Sequence, residues 1–117
     1  YGDLAGARVV VLGAAYRGGV KETAFSGVFP TVEALRARGA EVLVHDPMYT
    51  DEELTSYGWE PYHLGEPVDA AVVQADHAAY RDISDKDLPG ASVIVDGRRV
   101  IDATRFPDAT LRVLGTA

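Results

Sequence analysis

The most constraining stretch of this chain is Arg8-Val9-Val10-Val11-Leu12-Gly13, a run of β-branched and leucine side chains with no polar residue in alternation. A strand with one wet face alternates apolar and polar. A run that does not alternate suits a strand buried on both faces, as the strands of a parallel sheet are. Glu41-Val42-Leu43-Val44-His45, Asp69-Ala70-Ala71-Val72-Val73-Gln74 and Ser92-Val93-Ile94-Val95-Asp96 have the same character. Leu111-Arg112-Val113-Leu114-Gly115 reads as a last strand, and Trp59 to Tyr62 as a short edge segment.

Parallel strands need crossovers, and helix signals fall between the runs. A first helix is expected over about Gly27 to Arg38, with Ser26 as N-cap and Pro30 in the first turn, where a missing N–H costs least. Val28, Val32 and Leu35 share one face, Phe29 lies close beside it, and Gly39 supplies the left-handed stop. Asp51-Glu52-Glu53-Leu54 begins a short helix ending near Gly58. Asp76 or His77 leads a helical stretch through Arg81, and Ser84 to Leu88 reads as another helical turn. Strands alternating with helices predict a Rossmann-like, doubly wound parallel sheet in a three-layer α/β/α arrangement, with right-handed crossovers. At 117 residues the chain is long enough for one domain with a sizeable core.

Eighteen acidic residues against eleven basic ones give a formal charge of −7, which argues against a nucleic-acid or anionic-membrane partner. No apolar run approaches the ~20 residues of a membrane span, and no signal peptide is visible at Tyr1 to Gly6. The absence of cysteine removes disulfides and thiol nucleophiles and fits a cytoplasmic location. Tyr1 in place of an initiating Met is expected of a fragment.

On so acidic a chain, clustered cations stand out: Arg17 with Lys21, Arg36 with Arg38, and Arg98 with Arg99. Arg17 and Lys21 lie in the loop from Ala14 to Phe25, which is long against the ~2–6 residues usual for a βα connection. Arg98 and Arg99 follow the strand Ser92 to Asp96, and Asp46 follows the second strand. Carboxyl ends of parallel strands share one edge, where ligands bind at a reversal of strand order. If the first strand and the strand Ser92 to Asp96 are neighbours across that reversal, Arg17 and Arg98 face one crevice. Two guanidiniums there can hold a pyrophosphate bidentately. The alternative is that Arg17 and Lys21 are solvated loop charges and that Arg98 pairs with Asp96 or Asp102.

Other chemistry is poorly supported. Gly13-Ala14-Ala15-Tyr16-Arg17-Gly18 lacks the second and third glycines of a dinucleotide fingerprint, so NAD is not expected on this domain's own first loop. Asp46 stands where a ribose-binding acid would be, but Asp46-Pro47 is equally a turn opener. His45, Asp46, His63, Asp76 and His77 have no familiar metal-ligand spacing and read as scattered surface residues. Phe29, Trp59, Tyr62 and Phe106 are expected in the core or at an interface. No general base, thiol or metal set emerges, so no residue here is expected to be catalytic.

The segments G-A-R-V-V-V-L-G-A-A-Y-R, R-G-A-E-V-L-V-H-D-P, D-A-A-V-V-Q-A-D-H and V-I-V-D-G-R-R, with the long loop to Ser26 after the first, together resemble the C-terminal domain of the UDP-glucose/GDP-mannose dehydrogenase family of nucleotide-sugar 6-dehydrogenases. The resemblance runs from Leu4 to Gly115 in order and spacing. It implies a UDP-binding, Rossmann-like domain that closes over a UDP-sugar against an N-terminal NAD-binding domain carrying the catalytic Cys, both outside this chain. It also implies a full enzyme that oxidises the sugar C6 hydroxymethyl to a carboxylate in two NAD-dependent steps, as a homo-oligomer. Tyr16 and Arg17 stand where the family has Phe-Lys, so Arg17 takes the ligand-contacting role. Arg98 matches the Arg of the family's D-G-R, and Lys21 and Arg99 are secondary contacts. The loop departs from the family pattern: Ala24 replaces an Arg that reaches NAD, and Lys21 replaces an acid. A rival expectation is a non-catalytic assembly or oligomerisation module of the same fold, whose arginines serve domain or subunit contacts.

Overall fold

A computed structural model describes residues 6–13, 28–74, 77–97 and 100–113. Six strands form one sheet: β1 (Arg8–Leu12), β2 (Glu41–His45), β3 (Glu60–Pro61), β4 (Ala70–Val73), β5 (Val93–Asp96) and β6 (Thr110–Val113). Their spatial order is β3-β2-β1-β4-β5-β6, and every neighbouring pair is parallel. This is the expected doubly wound sheet. The edge segment near Trp59 is the strand β3, and the last strand begins one residue earlier than its apolar pattern suggests.

Two apolar layers sandwich the sheet, as unalternating strands require. On one face Val10, Leu12, Leu43, Ala71, Val73 and Ile94 pack under Tyr80, Ile83, Leu88, Val100 and Phe106. On the other, Val9, Val11, Val42 and Val44 pack under helices α1 (Val28–Ala37) and α2 (Asp51–Ser56) through Val32, Leu35 and Leu54, with Trp59 at the margin. Trp59, Tyr62 and Phe106 are core residues. The side chains of Val28 and Phe29, and the expected cap Ser26, lie outside what is described.

The two layers differ in kind. Both α-helices lie on one face, whereas the other is covered by turns and by the 3-10 helices η1 (Ala78–Asp82) and η2 (Ala103–Arg105). Ser84 to Leu88 is a hydrogen-bonded turn, closed by the Asp87 amide donating to the Ser84 carbonyl, and not a further helix. The 74–92 connection is longer than 46–59, which carries α2, so length does not decide where an α-helix forms. Helix α2 is fixed locally instead: Thr50 accepts from the Glu53 amide while the Glu53 carboxylate accepts from the Thr50 amide, a complete capping box.

Candidate functional site

The reversal of strand order falls between β1 and β4, because successive strands step outward from β1 through β2 to β3 and then from β4 through β5 to β6. The strand ahead of Arg98 is β5, so β4 separates it from β1. The expectation that these two strands are direct neighbours is therefore wrong. Their carboxyl ends, Gly13 and Gly97, sit two strand spacings apart, roughly 10 Å. After β3 at the sheet edge, the segment from Tyr62 to Asp69 returns the chain to the centre of the sheet, placing β4 beside β1.

At this edge the chain leaves β1 toward α1 on one face and leaves β4 toward η1 on the other. In open α/β sheets, ligands bind at such a reversal, in the crevice between the diverging connections. Its floor is well defined. The Gly13 amide donates to the His45 carbonyl at 2.7 Å, and the Gln74 amide donates to the Leu12 carbonyl at 2.9 Å. Gly13 has φ 110°, a left-handed backbone that favours glycine at the point where the first loop departs. Gly97 donates to the Val73 carbonyl at 3.3 Å, and a Cβ built on it would lie 3.2 Å from that same oxygen. Glycine here lets the segment leading to Arg98 lie against the end of β4.

A buried polar brace joins the strand ends on either side of β1. His77 Nε2 and Asp46 Oδ2 are 2.8 Å apart, with 3% and 0% of their side-chain surfaces exposed. The other Asp46 oxygen accepts from the Met48 amide at 2.8 Å, the turn-opening role foreseen for Asp46-Pro47. Beside this pair, Tyr80 Oη donates to the His45 carbonyl at 3.0 Å and lies 3.0 Å from His45 Nδ1. With its one proton given to the carbonyl, the hydroxyl accepts from His45 Nδ1–H. Burial pushes the His45 pKa down, against the opposing charge of Asp46, and pushes the Tyr80 phenol up. His45 is thus held neutral.

Asp46 and His77 are not the surface residues that sequence spacing suggested. They lie 31 positions apart, and only the strand order brings them together. The signal was there in a weaker form, since Asp46 directly follows one predicted strand and His77 comes three residues after the end of another. Their burial also removes Asp46 as a ribose acceptor. The first loop lacks the second and third glycines of the dinucleotide fingerprint, and Asp46, the acid after β2, is engaged inward. His63 is a true surface residue, held between Asp51 at 2.7 Å and Glu66 at 2.9 Å.

Tyr16, Arg17, Lys21, Arg98 and Arg99 lie outside the described residues; their immediate neighbours Gly13, Gly97 and Val100 are inside. Both carboxylates considered as alternative partners for Arg98 have work of their own. Asp96 is buried and accepts from the Ile101 amide at 2.8 Å. Asp102 caps η2 through the Thr104 amide and approaches Arg105 at 3.7 Å. Arg36, from another cation cluster, donates to the Gly58 carbonyl at 2.9 Å and ties α1 to the end of α2.

Comparison with known proteins agrees with this fold. The UDP binding domain of the UDP-glucose/GDP-mannose dehydrogenase family matches residues 10–103. UDP-glucose 6-dehydrogenase AglM of Haloferax volcanii is 30% identical, over 85% of this chain and 24% of that protein. Among solved structures, a UDP-glucose dehydrogenase from the hyperthermophilic archaeon Pyrobaculum islandicum superposes with a TM-score of 0.77 at 26% identity, covering 99% of this chain and 27% of its own. A UDP-D-ManNAc dehydrogenase from Pyrococcus horikoshii gives 0.67 at 26% identity, over 93% and 25%. The chain therefore spans about a quarter of the length of these relatives. It belongs to the UDP-glucose/GDP-mannose dehydrogenase family, as that family's UDP binding domain.

Proposed function

We propose that this chain is the nucleotide-sugar-binding domain of an NAD-dependent UDP-sugar 6-dehydrogenase, and that Arg17 and Arg98 grip the ligand's diphosphate from the strand ends of β1 and β5. One observation carries this: the strand-order reversal at β1 and β4 opens a crevice at the very edge to which the loops bearing both arginines are tethered, by Gly13 and Gly97. Two fork-shaped guanidiniums suit the paired phosphates of a nucleoside diphosphate. Tyr16 lies beside the ligand, and Lys21 and Arg99 add secondary charge.

In the longer polypeptide the sugar C6 hydroxymethyl goes to a carboxylate. Two hydrides pass to two NAD molecules, and water supplies the second oxygen. NAD and the catalytic Cys belong to an N-terminal domain that faces this crevice, a reading supported by the missing fingerprint glycines and the inward engagement of Asp46. The enzyme is a cytoplasmic homo-oligomer. Among the described residues no helix is long and apolar enough to cross a membrane.

Arg17→Ala and Arg98→Ala in the full-length enzyme test the assignment. Each removes a charge-assisted contact of about 1.5–3 kcal/mol, so KM for the nucleotide-sugar rises roughly tenfold to a hundredfold. The particle size by light scattering stays that of the parent. An unchanged KM with altered oligomer size shows instead that the arginines serve assembly.

A further inference from the structure

Among the described residues, the two α-helices cover only half of one sheet face. Val9 and Val11 of β1 are fully buried beneath α1, but Val72 of β4 and Val93 and Val95 of β5 on the same face are only half-buried. These residues floor a groove of about 450 Å³, walled on one side by Leu35 of α1 and by Arg38, just past its end. The topology explains the gap. Connections after β4 run on the opposite face, under Tyr80, Ile83, Val100 and Phe106, so no described segment returns to cover β4 and β5 here. A parallel sheet with one half-face bare is incomplete, because parallel strands are stable when both faces are covered.

The dimensions specify the occupant. Helix α1 lies over β1 and β2, and the groove lies over β4 and β5, two strand spacings or roughly 10 Å away. Packed helices lie ~8–10 Å apart. The groove is one helix wide and has α1 as its neighbour. Four-residue strands are spanned by about ten helical residues.

Connectivity points to where that helix comes from. Ala7, immediately before β1, is on the groove's face and packs with the cluster that contains Ala70 and Val72. The chain thus enters β1 from beside the groove, at the amino edge of the sheet. A helix antiparallel to the strands would end at this edge and lead directly into β1. Its carbonyl end, with its partial negative charge, would lie near Arg38 on the rim. The relatives are about four times as long as this chain, so polypeptide is at hand to supply it.

We infer that the groove over Val72, Val93 and Val95 is filled by an amphipathic helix from the segment of the same polypeptide that immediately precedes this chain. This contact is separate from the ligand crevice, which lies at the opposite edge of the sheet. It does not depend on which nucleotide-sugar is bound.

A photo-activatable p-benzoylphenylalanine placed at Val93 in the full-length protein, followed by mass spectrometry of the cross-linked peptides, tests this. The exposed rim residue Ser92 provides a second site that burial does not constrain. Variants are used only where they elute at the parent's size. The expected product joins residue 93 or 92 to a peptide upstream of Tyr1 within one polypeptide. A cross-link to a second copy, a cross-link to a segment after Ala117, or no cross-link from either site overturns the inference.

Discussion

Replacing His77 by leucine tests whether the strand-end brace is structural. The substitution fills the space of the imidazole but removes one hydrogen-bond partner of an Asp46 carboxylate with no exposed side-chain surface. A hydrogen bond to a carboxylate is worth about 1.5–3 kcal/mol, and leaving a buried polar group short of a partner costs about 1–3 kcal/mol, more where it is charged. Restored apolar packing offsets part of this, so we expect a loss of about 3 kcal/mol. That is a large share of the ~5–15 kcal/mol available to a domain. Asp46→Asn is milder, because an amide oxygen still accepts from the Met48 amide; about 1 kcal/mol is expected. Urea unfolding followed by the fluorescence of Trp59, the single tryptophan and a buried one, reads both. With a slope of ~1–3 kcal/mol/M, His77→Leu lowers the midpoint by roughly 1–3 M. A loss below about 0.5 kcal/mol, the range of ordinary surface substitutions, would refute the buried brace.

Tyr80→Phe leaves His45 Nδ1–H without its acceptor in a buried setting and costs about 1–3 kcal/mol in the same assay. Gly97→Ala forces a Cβ to 3.2 Å from the Val73 carbonyl; we expect about 1 kcal/mol of destabilisation and weaker nucleotide-sugar binding, measured by unfolding and calorimetry. The two perturbed histidines predict opposite pH dependences. The hydrogen bond to Asp51, then that to Glu66, raises the His63 pKa, so its stabilising contribution is complete below ~6.5 and lost as pH rises through the folded value. Burial lowers the His45 pKa, so its contribution is complete above ~6.5 and lost as pH falls through its folded value. Imidazole NMR titration of the parent and of Asp51→Asn checks this: Asp51→Asn moves the His63 midpoint down and leaves His45 in place.

The strands were legible because Val9 to Leu12, Val42 to Val44 and Val93 to Val95 never alternate, a pattern that only double-sided burial tolerates. The first helix was legible from the spacing of Val32 and Leu35 and from the Gly39 stop, which has φ 92°. Strand order was not, since every strand is equally apolar and nothing local records that β4 and not β5 lies beside β1. The brace was hidden for the same reason. Asp46 and His77 are unremarkable one at a time, and their pairing follows from β2 and β4 flanking β1. The short 3-10 coverings escaped because η2 is fixed by a single Asp102 cap and has no apolar repeat. Of the site itself, the sequence showed which loops carry the cations, and the fold shows that those loops spring from one edge.

Hydrogen exchange of the full-length protein, with and without saturating UDP, bears most directly on the ligand crevice. Amides in 13–21 and 97–99 should slow together, because Arg17 and Arg98 close on one diphosphate across the ends of β1 and β5. Protection confined to other segments, with both of these unchanged at saturation, would contradict that assignment.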